Sequence, residues 1–252
     1  MPQPAIIEPG ARLNIADPAV LRDLLTEHHG HLCGRDVLAS LLGPGRTMRG
    51  RTALVSSFGA ESVVLLHMVA SVDPDIPVIF LDTLAHFPAT LAYRNMLVEQ
   101  LGLRDVRTAT PNLRILGRID PRGDLHAGDP DLCCHFRKTE PLDEALSGFD
   151  AWITGRKRFQ GGARDDLPVF EVEDGSGRIK INPLALWSNE DLEAYRQSYD
   201  LPAHPLVAEG FRSIGCAPCT RPVKDGEDPR AGRWAGTAKT ECGIHVSHGG
   251  GI

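Results

Sequence analysis

Residues 52–62 read TALVSSFGAES. The first five are an apolar run of strand type, and residues 61–72, ESVVLLHMVASV, continue as a helix. A strand that passes through a small, glycine-containing turn into a helix opens a βαβ unit. The carboxyl end of such a strand is where open α/β sheets take ligands, and the helix start favours anions. Ser56, Ser57 and Ser62 offer hydroxyls there, and Gly59 allows close backbone approach. An ordinary strand–helix turn would read the same way.

The pattern repeats outward from this stretch. IPVIFLD (76–82) is a second apolar run, and residues 88–103 form a helix with proline in its first turn. DVRTAT (105–110) is a third strand, residues 140–149 a helix, and AWITG (151–155) a fourth strand. Strands alternating with helices predict an α/β fold with a parallel, doubly wound sheet. Asp82 and Thr83 close the second strand and are candidate ligand contacts, though simple turn residues would look alike. Upstream, residues 18–42 give two short helices broken around Gly30 and Gly34, after a disordered leader at 1–14. Downstream, residues 169–184 read as a hairpin around DGSG. Residues 188–201 read as a helix capped by Ser188, with Asp191 three residues on. From about residue 203 periodicity is lost. The organisation expected is a helical segment at 1–45, a nucleotide-binding α/β domain at 46–205, and a C-terminal segment at 206–252 belonging to that domain.

The chain has 252 residues, 42% hydrophobic and 24% charged, enough for a sizeable core without staples. A net charge of -6 gives no bulk support for nucleic-acid binding, so any anion site must be local. The start carries no basic segment followed by an apolar one. No stretch approaches the ~18 apolar residues of a membrane span. A cytoplasmic protein without a membrane or nucleic-acid partner is expected. The sequence leaves the oligomeric state open, a homo-oligomer included.

Six cysteines in such a protein point to metal binding or catalysis before disulfides. GCAPCT (215–220) directs Cys216 and Cys219 at one centre, and DLCCHFRKTEPL (131–142) adds Cys133 and Cys134. Four thiolates suit a tetrahedral zinc or a cubane iron–sulfur cluster. The adjacent pair fits the wider cubane better, and a vicinal disulfide or inert buried thiols remain alternatives. Cys33 beside HHGH (28–31) reads as a partly buried thiol near surface histidines. Cys242 lies in KTECGIHV (239–246), near the terminus, where a mobile nucleophile is better placed than a structural thiol. Lys239 and His245 could tune it.

Taken together, SSFGAES, LDTLAHFPATLAYR, CCHFRKTEPL, ITGRKRFQGGAR, SIGCAPCT, GEDPRAGRW and KTECGIHV resemble, in order, the assimilatory sulfonucleotide reductases. The likeness runs from about residue 50 to residue 246. The four cysteines point to the iron–sulfur branch, which reduces adenosine 5′-phosphosulfate (APS). The resemblance implies an adenine-nucleotide α-hydrolase-like fold of PP-loop type with a flexible C-terminal tail, and thioredoxin as the reductant. It implies a 4Fe–4S cluster on Cys133, Cys134, Cys216 and Cys219, and Cys242 as nucleophile. Lys138 would stand between cluster and substrate. Arg164, Arg230, Arg233 and His245 would bind the phosphosulfate, joined by the basic pair Arg137 and Lys138, and the 56–62 loop would hold the nucleotide. Phe58 takes the place of a loop glycine, Glu61 of an aspartate and Leu84 of a common glycine. Gly161 stands where serine is common, and Ala235 where a second tryptophan is.

The chemistry is consistent with the residues. A thiolate attacking an anionic phosphosulfate needs converging cations, and RK (137–138), GRKR (155–158), Arg164, Arg230 and Arg233 supply them. The 3′-phosphorylated substrate (PAPS), alone or alongside APS, is the nearest alternative. A PP-loop ATPase acting on tRNA is a further one, against which Ala60 in place of the usual loop lysine counts. A non-catalytic redox sensor is the last.

Overall fold

The structure is a computed structural model that describes residues 17–46, 48–237, 239 and 241–245, without the Ala163 side chain. The expected leader at 1–14 and the final residues 246–252 lie outside that range. Strands β1 (Thr52–Ser56), β2 (Val78–Leu81), β3 (Val106–Ala109), β4 (Ala151–Ile153), β5 (Phe170–Val172) and β6 (Ile179–Ile181) form one sheet. Its order is β3-β2-β1-β4-β6-β5, parallel throughout except for the antiparallel β5 at one edge. The hairpin expected around DGSG is this β5–β6 pair. The chain therefore runs outward from β1 to β3 and crosses back to β4 on the other side of β1. A crevice opens at such a switch point, beyond the strands' carboxyl ends.

The helices are α1 (Pro18–His29), α2 (Gly34–Leu42), α3 (Ser62–Val72), α4 (Pro88–Gln100) and α5 (Leu113–Ile119) in the first half. Then follow α6 (Leu125–Gly128), α7 (Pro130–Cys134), a π-helical turn (His135–Thr139), α8 (Glu140–Ala145) and α9 (Asn189–Ser198). Strand side chains alternate between the two faces of the sheet. Leu54, Val78, Phe80 and Ile153 join α2, α3 and α4 in the larger core. Ala53, Ile79, Leu81 and Trp152 face α8 through Leu142 and Leu146. Helix α3 is apolar nearly all round because it lies between the sheet and α2, with six of its side chains buried. Ser188 and Asp191 form the expected capping box of α9.

Both β1 and β2 leave the sheet through a left-handed residue. Phe58 has φ 49° and Leu84 has φ 58°, although neither is glycine. Such a conformation costs a non-glycine residue about 1–2 kcal/mol. Phe58 offsets this by complete burial and an edge-to-face contact with Phe80 at 5.6 Å. Leu84 is half exposed and has no such compensation beyond its N–H donating to Asp82 Oδ1 at 2.9 Å. At the opposite end of the sheet a second hollow is lined by Arg49, Asp73, Asp105, Arg107 and Phe149, with its cations paired to its own carboxylates. No helix among the described residues is long and apolar enough to cross a membrane.

Candidate active site

The cleft at the switch point encloses about 230 Å³. Its first wall is the turn after β1. Ser56 is buried and its Oγ accepts from the Phe58 N–H at 3.2 Å, while Ser57 faces outward. Gly59 is needed for space: a Cβ there would stand 3.2 Å from the Ile214 carbonyl oxygen. Ser62 is the first residue of α3, with Glu61 at its cap position. Glu61 spends its carboxylate on Lys157 and on the Gln160 amide, which donates at 3.0 Å.

The GRKR stretch follows β4, and two of its three cations, Arg156 and Lys157, enter the protein while Arg158 stays exposed. Arg156 is buried against Glu171, and Arg158 donates to the Leu167 carbonyl at 2.9 Å. Lys157 is buried against Glu61. Burial and the neighbouring Arg164 push Arg156 down to about 10. Arg164, in a short 3-10 turn (Gly162–Arg164), reaches the same space. Arg233 lies over the Trp234 ring at 4.4 Å and packs flat on Gly215, where a Cβ would meet Nη2 at 2.4 Å.

The cysteine segments meet at the rim. Cys133 and Cys134 are the last residues of α7, which the Asp129 cap and Pro130 start and the π-helical turn continues. Single π turns recur at functional sites because the extra residue re-aims the side chains around it. Cys133 senses Cys216 and Cys219, whereas Cys134 senses Cys242 and Lys138. Cys216 and Cys219 bracket a 3-10 turn (Ala217–Cys219). It is tied to the β2 exit by an Ala217 N–H donated to Ala85 O at 2.7 Å, and by Thr83 Oγ1 at 3.2 Å from the Cys216 sulfur. Burial raises the thiol pKa values of Cys133 and Cys219, with the neighbouring sulfurs adding to it. Cys33 is exposed and apart from this group. Among the described residues no three His, Cys, Asp or Glu side chains are grouped to hold a single metal ion.

The C-terminal residues 241–245 are docked into the cleft, where the sequence had suggested a swinging tail. Cys242 is buried. The Cys134 thiol donates to its sulfur, and Lys138 and Arg233 add positive charge, so its pKa falls well below the ordinary thiol range. Cys134 rises correspondingly. Burial disfavours the Lys138 ammonium, but Cys242, Cys216 and Cys134 outweigh it and raise its pKa. His245 stacks parallel to Trp152 with centroids 5.7 Å apart. Burial, then Arg156, Arg164, Lys180 and Arg230, hold its imidazole neutral. Its Nδ1 and the Trp152 Nε1 are buried and meet no hydrogen-bond partner among the described residues.

The cleft thus gathers Ser56, Ser57, Gly59, Ser62, Thr83, Lys138, Arg164, Arg230, Arg233, Cys242 and His245. Two candidates are elsewhere. Asp82 caps the Leu84 turn. Arg137 clamps the Thr83 carbonyl at 2.8 Å and Asp120 at 2.7 Å. Both act on the β2 exit that carries Thr83. The sequence reading missed Glu241, which takes Arg164 in a two-pronged ion pair, and Gln160, which bonds both Arg164 and Glu61. A carboxylate next to the candidate nucleophile, in a segment otherwise basic, was the available signal for Glu241.

A doubly wound sheet with a serine- and glycine-bearing first turn, cations gathered over it and a thiol of lowered pKa among them define a PP-loop-type α/β enzyme that handles an anionic nucleotide. Residues 51–222 match the phosphoadenosine phosphosulfate reductase domain, and the chain belongs to that family. It is 51% identical over 222 residues to an adenosine 5′-phosphosulfate reductase of Chelativorans sp. (strain BNC1), covering 88% of this chain and 89% of that one. A second, from Mesorhizobium japonicum, is 55% identical over 195 residues, 77% of this chain and 76% of that one. Among solved structures, the phosphoadenylyl-sulfate reductase of Candida auris in a phosphate complex superposes with a TM-score of 0.65 at 28% identity. That match covers 79% of this chain and 96% of the other.

Proposed function

We propose that the protein reduces APS to sulfite and AMP in sulfate assimilation, with Cys242 as nucleophile and thioredoxin as the dithiol reductant. One observation carries the reading: Cys242 is buried in one cleft with Lys138, Arg164, Arg230 and Arg233, beside the glycine turn of β1. The names of the relatives from Chelativorans and Mesorhizobium support APS as the substrate. A cytoplasmic location goes with this reading.

The chemistry is covalent catalysis. The Cys242 thiolate attacks the sulfate sulfur, an S–S bond forms, and the bond from sulfur to the phosphate oxygen breaks. AMP leaves with that electron pair. Lys138, Arg164, Arg230 and Arg233 offset the meeting of thiolate and oxyanion, and arginine suits the tetrahedral oxygens. A thioredoxin thiolate then attacks Cys242 Sγ, and sulfite departs with the electrons of the S–S bond. The second thioredoxin thiol resolves the mixed disulfide and returns Cys242 as thiolate. His245, neutral and stacked on Trp152, orients the docked segment.

Cys133, Cys134, Cys216 and Cys219 would hold a 4Fe–4S cluster. The donor set supports the fit: the Cys133 thiol lies near Cys216 and Cys219, Cys134 is its neighbour in the chain, burial penalises the charged form of Cys133 and Cys219, and Arg137, Lys138 and Arg233 stand around them. Bound, the cluster would supply a compact charged centre that fixes the two segments beside Lys138. About four iron and four acid-labile sulfide per chain are expected on assay.

The Cys242→Ser variant should bind APS and form no sulfite. Sulfite release at the normal rate from that variant refutes the assignment. Rates with APS and PAPS on one preparation decide between the two substrates.

A further inference from the structure

Two of the three arginines expected to hold the phosphosulfate, Arg164 and Arg230, are already engaged. Arg164 donates Nε to Glu241 Oε2 at 2.6 Å and Nη2 to Glu241 Oε1 at 2.8 Å. Arg230 Nη2 stands 3.4 Å from the same Oε1. The Cys242 N–H donates to that oxygen as well, at 2.8 Å. Arg164 and Glu241 are largely buried, with side chains 7% and 14% exposed. A planar carboxylate on a bidentate guanidinium edge is the arrangement by which arginine also takes a sulfate or phosphate. Nothing in the covalent chemistry uses this carboxylate, yet it is anchored one residue before the nucleophile.

We propose that Glu241 is an internal stand-in for the substrate's oxyanion: it fills the Arg164–Arg230 clasp, holds Cys242 beside Lys138, and yields the clasp to the phosphosulfate when that binds. The inference rests on the sulfonucleotide reading for the identity of the anion, but not for the competition itself. One guanidinium edge cannot serve two anions, so each must displace the other. Exchange at that spot delivers the incoming anion next to Cys242, because carboxylate and nucleophile are neighbours in the chain. It also frees the Cys242 N–H, which becomes a donor to the incoming group. Glu241 is therefore a positioning residue whose charge weakens substrate binding while it sets the nucleophile.

The test compares Cys242→Ser with the double variant Cys242→Ser/Glu241→Gln, full chains, by calorimetric titration with APS and separately with inorganic pyrophosphate. Removing a competing charge-assisted contact should tighten both ligands about fivefold to thirtyfold. In the chain with Cys242 intact, Glu241→Gln should lower KM and also lower kcat, and Glu241→Asp, which keeps the charge, should restore the wild-type KM. A merely structural Glu241 would lower the melting temperature without that split. Tightening of pyrophosphate with no APS binding to either chain keeps the clasp and removes the APS reading. Equal or weaker affinity in the double variant overturns the proposal, as does the absence of pyrophosphate binding to both.

Discussion

His204 should make the protein measurably less stable in mild acid. Its ring is 1% exposed, lies across Tyr93 at 4.7 Å, and joins α4 to the segment that leads to Cys216. Nδ1 accepts from the Leu206 N–H at 3.2 Å, so the proton is on Nε2, which donates to Thr90 Oγ1 at 3.0 Å. Charging the ring would set a proton on Nδ1 against the Leu206 N–H. Burial pushes the His204 pKa from 6.5 down to about 4. Because the folded value lies below the unfolded one, the unfolded chain takes up the proton first. The contribution is complete above about pH 6.5 and is lost as pH falls toward about 4. At about 1.4 kcal/mol per unit, the whole span is on the order of 3 kcal/mol, of which about 2 kcal/mol is lost between pH 8 and pH 5. Urea unfolding of the wild type and of His204→Gln at pH 8, 6.5 and 5 measures it. The difference between the chains cancels the other titrating groups, while any packing lost with the ring is a constant offset. The gap should shrink by about 2 kcal/mol from pH 8 to pH 5. A gap that is the same at all three values refutes the assignment of a buried neutral ring.

Three substitutions probe the rest. Lys138→Met removes the cation that helps lower the Cys242 thiol. The pH profile of Cys242 alkylation should move upward and sulfite formation should fall on the order of 100-fold, with iron content unchanged; an unmoved profile refutes the role. Leu84→Gly relieves a left-handed residue that is half exposed, so thermal unfolding should rise by a few degrees for about 1 kcal/mol gained, and a fall would show that Leu84 packs more than its exposure indicates. Gly215→Ala places a Cβ against the Arg233 guanidinium, which must shift off Trp234. APS affinity should drop about tenfold with little change in melting temperature, and unchanged affinity would remove Arg233 from the binding site.

The sheet was legible because each strand is a short apolar run set between helices with clear stops. Residues 78–81 and 151–153 needed no tertiary information. The short helices between residues 113 and 134 were not legible. Helices α5 and α7 depend on single caps, Asn112 and Asp129, and α6 is one turn without a side-chain cap, so none rests on a hydrophobic period. The cysteine segments were visible as a set through spacing and resemblance. What the sequence could not give was direction. Arg137 and Lys138 are neighbours within the π turn, and since consecutive side chains on a helix diverge, one clamps Asp120 and the Thr83 carbonyl while the other turns to the thiols. In the same way, Phe58 and Leu84 mark positions where the resemblance expects glycine, and the left-handed φ at both explains that expectation.

The sheet order has a consequence for how this chain can change over generations. The polar residues of the cleft lie at or beyond the carboxyl ends of the strands, and the hollow lined by Arg49, Asp73, Arg107 and Phe149 lies at the other end. The strands between are paired with one another in a single sheet. Charge substitutions at Arg49 or Asp73 should combine with those at the cleft's cations nearly additively, because the two sets of ion pairs share no partners, whereas Phe149 packs in one cluster with the cleft's Trp152 and Ile244. The charged groups of one end can drift in stability and those of the other in substrate preference, so selection can act on each set almost independently, while the shared apolar cluster ties the two ends together.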